Sequence, residues 1–233
     1  MDSPPDRIVI NPHAGRSWEL GAFRLRAECR CANQPFLGDF ITFMSRGPKR
    51  LAVVIGDACG RGSEGARLVP FVLEPLAELA ARMTRPGELL EALNRRVIGR
   101  LGSDRFVTGA ALELDAEAGT LTIANAGHVP AMLRNTKGEV RLIGRASGPP
   151  LGIFDDSRYS EESYALGAGD VVVSMTDGVL ESVETDLSGM PTLRELVSQS
   201  PGSGDEIHRR VLSRVPPAGK RVDDMSLLSL EWL

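Results

Sequence analysis

The chain has 233 residues, with 27 basic against 31 acidic side chains and a formal charge of −4. Its histidines are His13, His128 and His208, its cysteines Cys29, Cys31 and Cys59, and neither set shows CxxC or HxxxH spacing. A zinc or iron centre built from nitrogen and sulfur thus has few ligands to draw on, so any metal should be a hard cation held by oxygen. Apolar residues at 42% and charged residues at 25% fit an ordinary globular chain. No apolar run approaches the ~18 residues that span a bilayer, and no charged-then-apolar leader opens the sequence, so no membrane association is expected. An odd number of cysteines builds no disulfide framework, which places the protein in a reducing cytoplasm. Lysine occurs only at positions 49, 137 and 220, and the arginines are scattered among acids. Without a basic stripe, no nucleic-acid partner is expected.

The opening MDSPPDR is polar and proline-rich, so residues 1–17 are expected to be a flexible tail preceding one domain over 18–233. Residues 20–31 alternate apolar and polar, as a half-buried strand does. DFITFMS (39–45) and LAVVIGD (51–57) flank RGPK and predict a β-hairpin. A helical pattern runs from Ser63 to about Met83, with a kink or break expected from Pro70 and Pro75. A second helix is predicted from Pro86 to about Leu101, closed by Gly102. Short strands follow at 106–115, 119–127, 129–134 and 139–144, then a polar strand near 159–166 and a buried one at 171–177. Residues 192–200 and 204–215 suggest two short helices, and 223–233 a last strand. The segment 183–205 could gate the site or connect elements, and connection is the expectation. This order suggests α+β: one or two antiparallel sheets with paired helices outside.

The informative residues are acids at strand ends. Folding the first hairpin about Gly47–Pro48 sets Asp39 opposite Gly56, one step from Asp57. Asp177 ends VVVSMTD and Asp223–Asp224 begin DDMSLLSL, so antiparallel pairing of those strands would bring end to start. Carboxylates gathered at one rim repel by several kcal/mol at reduced dielectric, and must bind a cation, share a proton or hold apart. Oxygen ligands on rigid strands suit Mg²⁺ or Mn²⁺, and a shared carboxylate could bridge two ions about 4 Å apart, generating a hydroxide nucleophile and clamping a phosphoryl group. Each acid also has a plainer reading. Asp177–Gly178 alone is a turn signal, Asp57 could cap a helix, and Asp223 could pair with an arginine. The Gly56–Gly65 segment lacks the GxxxxGK[ST] pattern of a nucleotide loop.

With these residues in view, the sequence resembles the bacterial SpoIIE-type serine/threonine phosphatases of the protein phosphatase 2C (PPM) superfamily. The landmarks are LGDF (37–40), VVIGDACGRGSEGA (53–66), FVTGAALELDAEAGTLTIANAGHVPAML (106–133), GPPLGI (148–153), GDVVVSMTDGVLES (169–182) and DDMSLLSLE (223–231). The resemblance implies an α-β-β-α sandwich, two divalent cations (Mn²⁺ or Mg²⁺), and hydrolysis of phosphoserine or phosphothreonine by a metal-bound hydroxide. It implies that Asp57 bridges both metals, that Asp177 and Asp223 hold the first, and that the Ala58 carbonyl and Asp39 serve the second. Asp57 and Asp177 are thus the catalytic candidates, and Asp224 ranks behind Asp223. The chain departs from the family pattern at Leu37 and Thr42, where a glycine and an acid are common, and at Arg61, where a histidine is common. Arg61 could contact substrate phosphate or be a solvated loop residue; His128 reads first as a turn histidine, second as a proton-transfer group. The family implies a phosphorylated STAS-domain anti-anti-sigma factor as partner in a partner-switching circuit. Two alternatives stand beside this: a phosphatase-like scaffold with little or no activity, and a phosphodiesterase or small-molecule phosphatase on the same site.

Overall fold

The computed structural model describes residues 7–9, 15–32, 37–183, 189–217, 220–221 and 223–233. Residues 1–6 and 10–14 of the expected tail, and 184–188 of the expected connecting segment, lie outside the described residues. The chain runs β1 (Arg7–Val9), β2 (Arg16–Leu20), β3 (Phe23–Arg30), β4 (Asp39–Ser45) and β5 (Arg50–Ala58). Helices α1 (Ser63–Ala66), α2 (Val69–Arg82) and α3 (Pro86–Val97) follow, then β6 (Val107–Asp115), β7 (Thr120–Ala126), β8 (Ala131–Arg134), β9 (Val140–Ile143), β10 (Glu162–Ala165) and β11 (Val171–Met175). Helices α4 (Asp177–Val183), α5 (Gly189–Ser198) and α6 (Gly204–Leu212) precede the last strand, β12 (Met225–Trp232).

The strands form two six-stranded sheets, ordered β1-β4-β5-β6-β7-β10 and β2-β3-β12-β11-β8-β9, with antiparallel pairing throughout. Period-2 patterning explains how they stack. β3 alternates buried and half-buried residues along its whole length, and its inward set (Phe23, Leu25, Ala27, Cys29) meets Ile41, Phe43, Val53 and Ile55 of the facing sheet. The opposite faces are also apolar. Phe40, Val54, Ala111 and Ala124 pack under α2 and α3, and Val171, Val173, Met175 and Leu227 pack under α4, α5 and α6. Three apolar layers between four structural layers give the α-β-β-α sandwich that the resemblance implied. Among the described residues no helix is long and apolar enough to cross a membrane.

Four expectations need correcting. Within the stretch expected as a tail, Arg7–Val9 pairs with Met44–Thr42 as an edge strand and Arg16–Leu20 pairs with β3; the β-branched Ile8 and Val9 supply the propensity of the first. The strand expected over 20–31 is split by a turn at Gly21, whose φ of 61° and approach to the Pro48 carbonyl tolerate no side chain. The helix break falls at Arg67–Leu68, so Pro70 sits in the first turn of α2, where its missing N–H is harmless, while Pro75 is accommodated inside the helix. The buried strand expected to reach Asp177 stops at Met175, and Asp177 opens a helix.

His208 is fully buried on α6, with Nδ1 3.2 Å from Ser229 Oγ and Nε2 3.9 Å from Glu28 Oε2. Burial, with Arg26 and Arg30 adding to it, pushes its pKa down from 6.5 to about 3. The folded ring stays neutral where the unfolded one charges, so its contribution to stability is complete above about pH 6.5 and is lost as pH falls toward 3. The slope from this group is about 1.4 kcal/mol per pH unit. Urea unfolding across that range should therefore show a shallower acid decline for His208→Gln than for the native chain; equal slopes would show that His208 does not titrate on unfolding.

Candidate metal centre and active site

The acids meet at one rim of the sandwich, two from each sheet. On β4 and β5 the register pairs Asp39 directly with Asp57 and Ser45 with Leu51. This is one step from the expected partner, because the hairpin reverses about Pro48 and closes with the Arg46 amide donating to the Arg50 carbonyl at 2.9 Å. The correction matters chemically. Directly opposed residues share a face with their Cβ atoms about 5 Å apart, and that face, shared with Ile41 and Ile55, is the inter-sheet one. Gly56 beside Asp57 is required by packing, since a Cβ there would stand 2.5 Å from the Phe40 ring and 2.7 Å from the Thr108 carbonyl.

The other sheet supplies the second pair. Met175 pairs with Leu227, and the Thr176 amide donates to the Ser226 carbonyl at 3.0 Å, so the residues just beyond are Asp177 on one side and Asp223–Asp224 on the other. Gly178 fits into this corner only because it lacks a side chain, as a Cβ would stand 1.9 Å from the Asp224 carbonyl oxygen. Gly178→Ala is expected to cost about 2–4 kcal/mol, because a backbone atom cannot yield as a flexible side chain does. Urea unfolding measures this directly, and a loss below about 1 kcal/mol would show that the corner is pliable.

The two sheets are tied together at this rim. Thr176 Oγ1 donates to Asp39 Oδ2 at 2.7 Å and accepts from the Ser226 amide at 2.8 Å. The two acids at the start of β12 are used differently. Asp224 accepts from the amides of Ala32 (2.8 Å) and Gly38 (2.9 Å), which fixes the entry to β4. Asp223 accepts from the Asp224 amide at 2.8 Å and faces Arg61 Nε at 3.8 Å. The Arg61 side chain is 77% exposed, at the mouth of the cluster.

Electrostatics marks the cluster as strained. Asp57 is pushed up to about 10, first by burial and then by the charges of Asp39, Asp177 and Asp223. Asp39, 3% exposed, is pushed up to about 7 by burial, with hydrogen bonds from Thr176 and Ser226 opposing and the charges of Asp224 and Asp177 adding. Asp177 is raised by burial and by Asp223. Buried like charges without a counter-ion must take up protons or a cation.

The donors fit a hard divalent cation. They are all oxygens, and their mutual repulsion is what such an ion relieves. The Ala58 carbonyl is flanked by Gly38 and Gly65, where a Cβ would stand 3.3 and 2.8 Å from its oxygen. Among the described residues no three His, Cys, Asp or Glu side chains enclose an ion by themselves. That is compatible with Mg²⁺-like ions, which keep several waters and use only one or two carboxylates each.

Thr42 lies apart from this chemistry, on the alternate face of β4 beside Leu76 and Ala80 of α2, so its lack of an acid removes no oxygen from the face that carries Asp39 and Asp57. Leu37 joins the inter-sheet core, in the same layer as that face. His128 is buried, and its ring Nδ1 lies 2.9 Å from Thr108 Oγ1. Burial pushes it down to about 4, so it is neutral near pH 7. Its amide donates to Asn125 Oδ1 at 2.6 Å, and Asn125 Nδ2 donates to the carbonyls of His128 and Gly144. This is a turn locked by the Asn125 side chain, with Thr108 held directly across the β5–β6 ladder from Asp57.

Thr176, Thr108 and Asn125 were not singled out from the sequence. Thr176 has a readable signal, since the alternation that buries Val172 between the sheets places Thr176 on the same inward face. Thr108 and Asn125 have none, as their roles depend on which strand neighbours which.

Comparison with known proteins agrees with this fold. The phosphoserine phosphatase RsbU of Bacillus subtilis (strain 168) is 26% identical over 163 residues, covering 70% of this chain and 48% of that protein. The chain spans less than half the length of the curated relatives it matches. The PP2C phosphatase domain of the cell fate determinant SpoIIE from Bacillus subtilis has the same fold, with a TM-score of 0.77 at 18% identity over 90% of this chain and 63% of that one. So has RsbX in complex with magnesium, with a TM-score of 0.75 at 18% identity over 94% of this chain and all (100%) of that one. The model of the family described as Stage II sporulation protein E (SpoIIE) matches residues 47–233, a span that takes in Asp57, Ala58, Arg61, His128, Asp177 and Asp223, and the chain belongs to that family.

Proposed function

We propose that the chain is a metal-dependent protein serine/threonine phosphatase that hydrolyses phosphoserine or phosphothreonine on a partner protein. The partner class that the family implies is a STAS-type anti-anti-sigma factor in a partner-switching circuit. The observation that carries the reading is the convergence of Asp39 and Asp57 from one sheet with Asp177 and Asp223 from the other, all acids, with Arg61 at the edge the one cationic side chain paired to them among the described residues. In this reading Asp57 with Asp177 and Asp223 would hold one Mn²⁺ or Mg²⁺ ion, and Asp57 with Asp39 and the Ala58 carbonyl would hold the other. Bound there, the ions would supply Lewis-acid polarisation of the phosphoryl group and an activated water.

The chain's own groups do the rest. Thr176 fixes the Asp39 carboxylate through a bond that spans both sheets. Arg61, held loosely by Asp223, is free to turn its guanidinium onto phosphate oxygens as a substrate arrives. Neutral His128 orients Thr108 beside Asp57 and serves as a positioning residue.

The test is hydrolysis of p-nitrophenyl phosphate and of a phosphoserine peptide with Mn²⁺, with Mg²⁺ and with EDTA. Turnover with either ion and none in EDTA is expected. Turnover that survives EDTA, or hydrolysis confined to phosphodiesters, would overturn the proposal.

A further inference from the structure

A cavity of about 380 Å³ opens beside the acids, with Asp57, Asp177 and His128 at one end. Beyond these and Thr108 with Gly127, its wall is apolar: Val129 and Pro130 from the turn before β8, Leu142 from β9, Leu180 from α4 and Met190 from α5. Among the described residues no lysine or arginine lines it. Leu180 is buried core, but Val129, Pro130, Leu142 and Met190 are only half-buried, so apolar surface stays open to solvent within reach of the reacting centre. The cavity does not stop there. Leu142 and Met190 also line a second cavity of about 630 Å³ between β9 and α5, whose far rim carries Glu139, Arg194 and Gln199. The two form one trough that starts at the carboxylates and runs out over the edge of the second sheet.

We infer that this trough is the docking groove for the substrate's polypeptide, and that the pocket beside the acids takes an apolar side chain flanking the phosphorylated residue. The inference rests on the phosphatase reading. Its occupant follows from continuity: a phosphoryl group at the acids leaves the attached chain facing Val129, Leu142 and Met190, where a charged flanking residue would lose its water without a partner. Free phosphomonoesters would fill the acid end only. A phosphoprotein segment gains the burial of its neighbouring Leu, Ile, Met or Phe as well.

The experiment uses the native chain with Mn²⁺ and a panel of short phosphoserine peptides. Each position within three residues of the phosphoserine is set in turn to Leu, Gly, Asp or Lys, and kcat/KM is measured against p-nitrophenyl phosphate as a reference. At one flanking position Leu should exceed Asp and Lys by about tenfold or more, the discrimination that a single apolar contact supports. Met190→Asp should shrink that preference to below about threefold, with Leu142→Ser as a second variant should the first fail to fold. A flat profile, or a preference for charged flanks, overturns the groove while leaving the phosphatase reading intact. Failure to hydrolyse any phosphoester overturns both. A Met190→Asp chain that keeps its peptide preference but changes its sedimentation would assign the face to a second copy of the chain, and would likewise overturn the inference.

Discussion

Asp57→Asn is expected to abolish metal-dependent phosphoester hydrolysis, by about a thousandfold or more, and at the same time to make the metal-free protein more stable. Both effects come from the same carboxylate. With its pKa pushed up to about 10 by burial and by three neighbouring acids, Asp57 opposes folding across the neutral range. The sign is unusual for an acid. The folded chain holds a proton that the unfolded chain releases above about pH 4, so stability is greatest below that point and is lost as pH rises toward 10. Asparagine keeps the shape and removes the titration. The gain at pH 7 should be about 2–4 kcal/mol, or roughly 5–10 °C in Tm for a chain of this size. Chelator-treated native and variant proteins compared by urea unfolding over pH 6–9 would show the gap widening with pH. A variant less stable than the native chain would mean that Asp57 is held by interactions stronger than its repulsion.

Divalent cations should act in the opposite sense on the native chain. At a hundredfold excess over Kd, binding only to the folded state adds about 2.7 kcal/mol, which again corresponds to roughly 5–10 °C. The gain should vanish in EDTA and be largely absent from Asp57→Asn. A sharper signature is available from protons. Asp39 and Asp57, raised to about 7 and about 10, carry protons near neutral pH that a bound cation must displace. Titration calorimetry in buffers of different ionisation enthalpy should therefore report proton release on Mn²⁺ binding, together with affinity that tightens as pH rises. Binding without proton release would place the ion elsewhere.

Much of this site could be read from the residues because its acids sit at strand ends, where alternation and chain reversal limit the alternatives. Asp39 and Asp57 were brought together by a hairpin whose turn residues are plain, and the remaining error of one step came from the centre of the turn, which composition does not reveal. Asp177 was located but not its element. Asp-Gly after an apolar run signals a turn, whereas α4 begins there because Val179 and Leu180 find an apolar layer beneath β11 and β12, a tertiary fact. The division of labour between Asp223 and Asp224 rests on two amides, Ala32 and Gly38, that are remote in sequence. Likewise β1, three residues long, is held by pairing along β4 and carries no amphipathic pattern of its own.

The bond from Thr176 to Asp39 is short, buried and crosses the gap between the sheets. Because each sheet carries half of the carboxylates, the separation of the two halves is set by the thickness of the apolar layer between them, filled by Leu25, Ile55, Leu112 and Leu228. That layer is in effect a spacer with atomic tolerance. Trimming one of its side chains far from the rim would let the sheets settle and shift one pair of acids against the other. The layers under the helices can be repacked without changing that separation. Sensitivity of catalysis to mutation should therefore be graded by depth within the sandwich, with a distant residue of the middle layer outweighing a nearer one beneath the helices.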